Sequence, residues 1–213
     1  MRRVVLLVLA SALFVSACGS AKVTDPPAAS PSEAQNGSSA AIATPSPTPA
    51  AILSIAPSLA AVDGDWIVFA PDGAGFSSKF PETPTLTTQT DKTAVGDAVS
   101  SIWTFEQGGN LAYAVLAAAY PAGSLAATTP AKLYDGGING MAGGSAGYVL
   151  SAQTDATLGG HAGRTFLLTS STGSIKGEIV VVGDTMYMAY VVFTSSVDTS
   201  LIDTFLLDFQ LSA

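Results

Sequence analysis

The sequence predicts an α+β fold, a mostly antiparallel sheet with helices laid on its faces. Three observations predict it. From Trp66 to Thr194 the chain is dominated by short apolar runs separated by glycine-bearing turns. One of those turns, Gly183-Asp184, has the two-residue form that closes antiparallel hairpins. Two segments carry helix signals instead, one opening at Thr129-Pro130 and the other closing the chain.

Taken in order, residues Trp66 to Ala70 read as a short strand followed by a turn at Asp72-Gly73. Gly75 to Phe80 is a second strand, stopped by Pro81, and Leu86 to Thr90 an edge strand. Ala98 to Phe105 alternates, with Val99, Ser101, Trp103 and Phe105 on one face. The run Gln107-Gly108-Gly109-Asn110 turns the chain back into a long strand over Leu111 to Tyr120.

Thr129 then supplies an N-cap and Pro130 a first helical residue. Leu133, Ile138 and Met141 fall broadly on one face of this helix. Gly136, Gly137 and Gly140 weaken it by about 1 kcal/mol each relative to Ala, a cost that close packing on a sheet would explain. Strands follow over Tyr148 to Ala156, Arg164 to Ser170, Ile175 to Val182 and Met186 to Thr194. Lys176 and Glu178 share one face of their strand. Met186 to Phe193 is apolar on both faces, so it belongs in the middle of the sheet, covered on both sides. In the final helix Asp198 is the expected N-cap, and Leu201, Ile202, Phe205, Leu206 and Phe209 form one stripe that leaves Asp203 and Asp208 outside.

The amino-terminal third differs in kind. Arg2 and Arg3 precede an apolar run from Val4 to Val15 and the small residues Ser16 and Ala17, which describes a secretory signal peptide over residues 1–17. The run is shorter than the ~20 residues of a membrane-spanning helix. Val15-Ser16-Ala17-Cys18 resembles the lipobox of bacterial lipoproteins, in which the cysteine thiolate accepts a diacylglycerol. Cys18 is the sole cysteine in the chain, so it has no partner for an internal disulfide, and acylation would remove a free thiol from an oxidising compartment. Two or three acyl chains hold a protein on a membrane where one holds it only marginally. Residues 18–62 are rich in Ala, Ser, Pro and Thr and read as a disordered tether, roughly 150 Å long at ~3.3 Å per residue when fully extended. Within it, the stretch from Ala51 to Val62 is more apolar. Residues 63–213 form one domain of about 150 residues.

The domain resembles the PsbP-like family, named for an extrinsic subunit of the oxygen-evolving photosystem and rich in bacterial lipoproteins. The residues that carry the resemblance are Asp72-Gly73 with Phe76, then Phe80-Pro81-x-x-Pro84, then the run from Leu158 through Gly159, Gly160, His161, Ala162 and Gly163 to Arg164. Gly183-Asp184-x-x-Tyr187 and Phe205-x-x-x-Phe209 complete it. The resemblance implies an αβα sandwich with an antiparallel central sheet, and it implies no photosynthetic role, because fold does not carry function.

Apparent catalytic motifs fail on context. Gly143-Gly144-Ser145-Ala146-Gly147 fits G-x-S-x-G, with Asp155 and His161 following in order. That elbow needs a strand before its serine and a helix after it, and here the order is reversed, so the glycines read as a helix exit. His161 is the sole histidine, which suits a turn residue better than a metal ligand. Asp63-Gly64-Asp65 and Asp72-Gly73 lack the regular oxygen ligands and closing Glu of a calcium loop, and they read as turn aspartates. Removal of Arg2 and Arg3 with the signal peptide leaves 6 basic residues against 16 acidic ones, a net charge near −10. That balance excludes nucleic acid, which needs basic patches, and adhesion to anionic lipid by charge. The expectation is a lipid-anchored extracytoplasmic module on the bacterial cell membrane, without catalytic residues, cofactor or metal, binding an unknown envelope protein or ligand. The alternative is a carrier of a small ligand or cation in a cleft between sheet and helix.

Overall fold

The computed structural model describes residues 66–143, 147–195, 197 and 199–212. Cys18, the signal-peptide and tether residues, Asp63 to Asp65, Ser145 and Asp198 lie outside them. Within the described residues ten strands and two helices follow one another: β1 (Ile67–Phe69), β2 (Phe76–Phe80), β3 (Thr85–Thr93), β4 (Gly96–Gln107), β5 (Leu111–Ala119), α1 (Pro130–Ala142), β6 (Val149–Leu158), β7 (His161–Thr169), β8 (Ser174–Val182), β9 (Thr185–Phe193), α2 (Ser200–Leu207) and β10 (Gln210–Leu211).

Seven strands form one sheet in the order β3-β4-β5-β9-β8-β7-β6, with every neighbouring pair antiparallel. The α+β class and the antiparallel pairing expected from the turns are therefore observed. Turn chemistry sets the registers. Val182 faces Thr185 across Gly183-Asp184. Gly183 takes φ 58° while Asp184 stays at negative φ, the sign pattern of a type II′ hairpin turn. The doubly apolar run becomes β9, the fourth of the seven strands. Its Tyr187, Ala189 and Val191 enter one core cluster, and Met186, Met188 and Tyr190 the other. Both faces of β9 are covered, as a strand without a polar face requires.

The first face is covered by α2 and by a second, three-stranded sheet in the order β1-β2-β10. Phe76, Phe80, Ile202, Phe205 and Phe209 pack there against Tyr113, Val115 and Val191 of the main sheet. This small sheet corrects the expectation of one sheet holding every strand. Strand β1 pairs with β2 and β10 pairs with β2 on the other side, so the beginning and the end of the domain close on one strand. The last helix also differs from its sequence stripe. It runs only over Ser200–Leu207 and has Thr199 at its N-cap position without a side-chain cap bond. Phe209 lies beyond it, yet is buried in the same cluster. Burial of the stripe outlasts the helical hydrogen bonds, which end with the Asp208 N–H on the Thr204 carbonyl.

The second face is covered by α1, whose Tyr134 and Ile138 pack with Phe166, Leu168, Ile179 and Met188. Thr129 precedes the helix in an extended conformation and Pro130 opens it, as expected, although the Thr129 side chain makes no cap bond. Gly137 accounts for part of the glycine content: a Cβ there would come within 2.7 Å of Ile179 Cδ1 and 3.2 Å of Met186 Sδ. The helix can sit this low on β8 and β9 only without that side chain. Gly143 ends the helix, its N–H on the Asn139 carbonyl. Helix α1 makes most of its contacts over β6, β7 and β8 and reaches Met186 of β9 through Gly137, so it is centred away from the β3–β4 end of the same face.

Candidate functional site

The residues singled out by motif are scattered or used by the fold. Asp155 and His161 stand on neighbouring strands, but Asp155 faces Arg164 and His161 faces Leu158. His161 is exposed at the first position of β7. Asp72 lies in a turn closed by the Ala74 N–H on the Pro71 carbonyl. No group of three or more His, Cys, Asp or Glu side chains suited to a metal ion occurs among the described residues.

The family-like motifs prove to be packing devices. Phe80 meets Phe205 with ring centroids 5.3 Å apart, and Phe76 meets Phe209 at 6.0 Å. These contacts fasten the small sheet and the C-terminal segment together over the main sheet. Tyr187, from the last hairpin, places its hydroxyl where a Cβ on Gly75 would collide. Asp184 of the same hairpin accepts from the Gly123 N–H at 2.7 Å and the Leu125 N–H at 3.4 Å, holding the loop after β5.

Arg164 is the most heavily engaged charge. Its Nε donates to Asp155 Oδ1 at 2.9 Å and its NH1 to Asp135 Oδ1 at 2.6 Å, with the guanidinium 5.7 Å from the Tyr134 ring centroid. The hydrogen bond to Asp155 and the two nearby carboxylates raise its pKa further, against a smaller opposing effect of burial, so it stays charged. Tyr134 in turn donates to the Ala162 carbonyl at 2.5 Å. Helix α1 is thus pinned to the β6–β7 hairpin by side chains from both, and Tyr134, four residues before Ile138 and seven before Met141, shares their buried face, a spacing that the Leu133–Ile138–Met141 stripe passes over. Both carboxylates are more than half exposed, which limits each pair to a modest contribution. Arg164→Met should cost about 1–2 kcal/mol in chemical denaturation, most of it lost hydrogen bonding to charge. An unchanged midpoint would mean that the helix is held by Ile138 and Tyr134 alone.

A candidate binding surface lies among the described residues on β3 and β4. A half-open depression of about 540 Å³ is lined by Thr83, Thr85, Thr87, Ile102, Thr104, Phe105 and Glu106. Register explains its chemistry. Thr85 pairs with Thr104 and Thr87 with Ile102, so these four side chains share the α1 face of the sheet at its β3–β4 end. Four hydroxyls, each a donor and an acceptor, flank the largely buried Ile102, with one carboxylate at Glu106, while Phe105 borders the depression from the opposite face of β4, where its ring stacks on Tyr113. Such a lining can hold a polar chain or ring by hydrogen bonds and apolar contact. In the sequence these threonines mark only an edge strand.

Glu178 is a buried carboxyl with no charged partner among the described residues. It lies in β8 on the face that carries Lys176 and Val180 and is 7% exposed. Burial pushes its carboxyl up from 4.5 to about 7. Lys176 on the same face pairs instead with Asp203 of α2 at 2.6 Å. The same burial raises the Tyr113 and Tyr190 phenols to about 12, so both remain neutral.

No family model and no curated protein matches the chain. Among solved structures it is similar to the solution structure of cyanobacterial PsbP from Synechocystis sp. PCC 6803, with a TM-score of 0.48 and 10% identity, covering 68% of this chain and 91% of that one. It is also similar to a Pseudomonas aeruginosa protein of unknown function, with a TM-score of 0.34 and 10% identity, covering 66% of this chain and 90% of that one. The first carries the family name that the sequence motifs also bring to mind. A likeness at this identity brings no activity or partner with it.

Proposed function

We propose that the chain is a lipid-anchored extracytoplasmic protein whose single domain, layered as an αβα sandwich with an added small sheet, is a non-enzymatic binding module on the bacterial cell membrane. The observation that carries the binding role is the threonine-lined depression on β3 and β4. It gathers four threonine hydroxyls and a carboxylate beside Ile102, on a part of the sheet away from α1. The charged side chains elsewhere hold elements together: Arg164 ties α1 to the β6–β7 hairpin, Lys176 ties β8 to α2, and Lys79 ties β2 to Asp208 at 3.2 Å. The Val15 to Cys18 lipobox supports the anchor. A carrier of a small ligand or cation is the second reading, and the same depression would be its cleft.

Two comparisons test the proposal. Cys18→Ser should abolish incorporation of labelled fatty acid and move the protein from the membrane to the soluble fraction. Retention on membranes without the label would remove the anchor from the proposal. Thr104→Arg fills the depression without touching the core. In-cell crosslinking should then lose a partner that the wild-type chain captures, while circular dichroism stays the same. Capture that is indifferent to Thr104→Arg would place binding elsewhere.

A further inference from the structure

The edge strand next to the depression has a property that the other edge lacks. Strand β3 pairs with β4 through nine consecutive residues without a register shift, whereas β6, at the opposite edge, is interrupted by a bulge between Leu150 and Ala152. A bulge is one of the devices that keep an edge from templating another strand. Strand β3 has no bulge and no proline in its run TLTTQTDKT, and threonine holds five of its nine positions.

We propose that β3 pairs antiparallel with β3 of a second copy of this chain, joining two seven-stranded sheets into one across a two-fold axis. Antiparallel neighbours must point to the same face when they stand opposite each other, so the axis has to pass through a residue and not between two. The register that uses all nine positions centres on Gln89. It sets Thr85 opposite Thr93 and Thr88 opposite Thr90. Thr87 then faces Asp91, and Leu86 faces Lys92. No like charges meet, which matters because opposed like charges destabilise a strand pair whereas Thr–Thr pairs stabilise it. Leu86, 53% exposed in a single copy, would be covered by the aliphatic stem of Lys92. Such an isologous contact is closed, so it ends at a dimer. The axis stands perpendicular to the sheet and brings the two depressions to the same side, adjacent across the new pair. This pairing stands apart from the lipid anchor and would persist without it.

The test uses the full chain carrying Cys18→Ser, so that any introduced thiol is the sole one. Gln89→Cys places the two copies of residue 89 opposite each other at the axis, and mild oxidation should yield a covalent dimer at high fraction. Thr87→Cys is on the same strand and more exposed than position 89 but faces Asp91, and it should crosslink several-fold less. Sedimentation equilibrium of the unmodified chain should give twice the chain mass at high protein concentration. A monomer mass throughout, or equal crosslinking at positions 87 and 89, overturns the proposal. Either result would leave the β3 edge to an extended segment of another protein.

Discussion

Glu178→Gln should stabilise the domain by up to about 3 kcal/mol above pH 7 and remove most of the pH dependence between the two carboxyl values. The folded-state carboxyl lies at about 7 against an ordinary 4.5. Between those values the native protein holds a proton that the unfolded chain has released, so stability falls as pH rises through the window. Above pH 7 the folded carboxyl is ionised too, and the loss levels off. Below pH 4.5 both states are protonated and the wild-type carboxyl costs nothing of this kind. Urea titrations at pH 4.5 and pH 7.5 would read the effect. Wild type should be less stable at the higher pH by this contribution, and the Gln variant should show little difference. Parallel behaviour of the two proteins would mean that Glu178 is hydrated in the native state.

Phe205→Ala should cost about 3–5 kcal/mol, the range for removing a buried aromatic ring. Phe205 is fully buried and lies between Phe80 at 5.3 Å and Tyr113 at 5.2 Å, so its loss opens the joint between α2, the small sheet and the main sheet. For a domain whose total stability is of order 5–15 kcal/mol this is a large share. The readout is convenient, because both tryptophans report on this layer: Trp66 packs edge-on to Tyr113, and Trp103 to Phe76. Their fluorescence should shift to the red in the variant and the denaturation midpoint should fall. Leu207→Ala, at a position 79% exposed in the same helix, should leave both unchanged. A midpoint shift as large as that of Phe205→Ala would show that α2 contributes through helix propensity and not through packing.

Local signals carried most of the architecture. Strand runs and turns are short-range properties, and so is the double-sided hydrophobicity that put Met186 to Phe193 at the centre of the sheet. Sheet membership is not short-range. Residues Ile67 to Phe69 form a short apolar run like other strand segments, and only their pairing with β2 shows that they belong to a separate sheet. The two residues of β10 carry too little pattern to announce a strand. Glu178 shares its face with Lys176, so the pair looks like a solvent face in sequence. The positions differ because Lys176 reaches Asp203 at the rim of α2 while Glu178 lies further in. The depression was the least legible feature. Threonine suits an exposed edge and a binding surface alike, and only the limited reach of α1 over the sheet separates the two.

The placement of β1 has a mechanical consequence. If the amino-terminal side of the domain is a leash, tension on it enters at Trp66 and passes first through a three-residue strand held by three backbone pairs to β2. The rings of Trp66 and Phe69, set against Tyr113, Phe80 and Trp103, share that load. The seven-stranded sheet lies downstream of these contacts. Strand β1 would therefore peel away before any strand of that sheet is strained, a sacrificial link that spares the surface on β3 and β4.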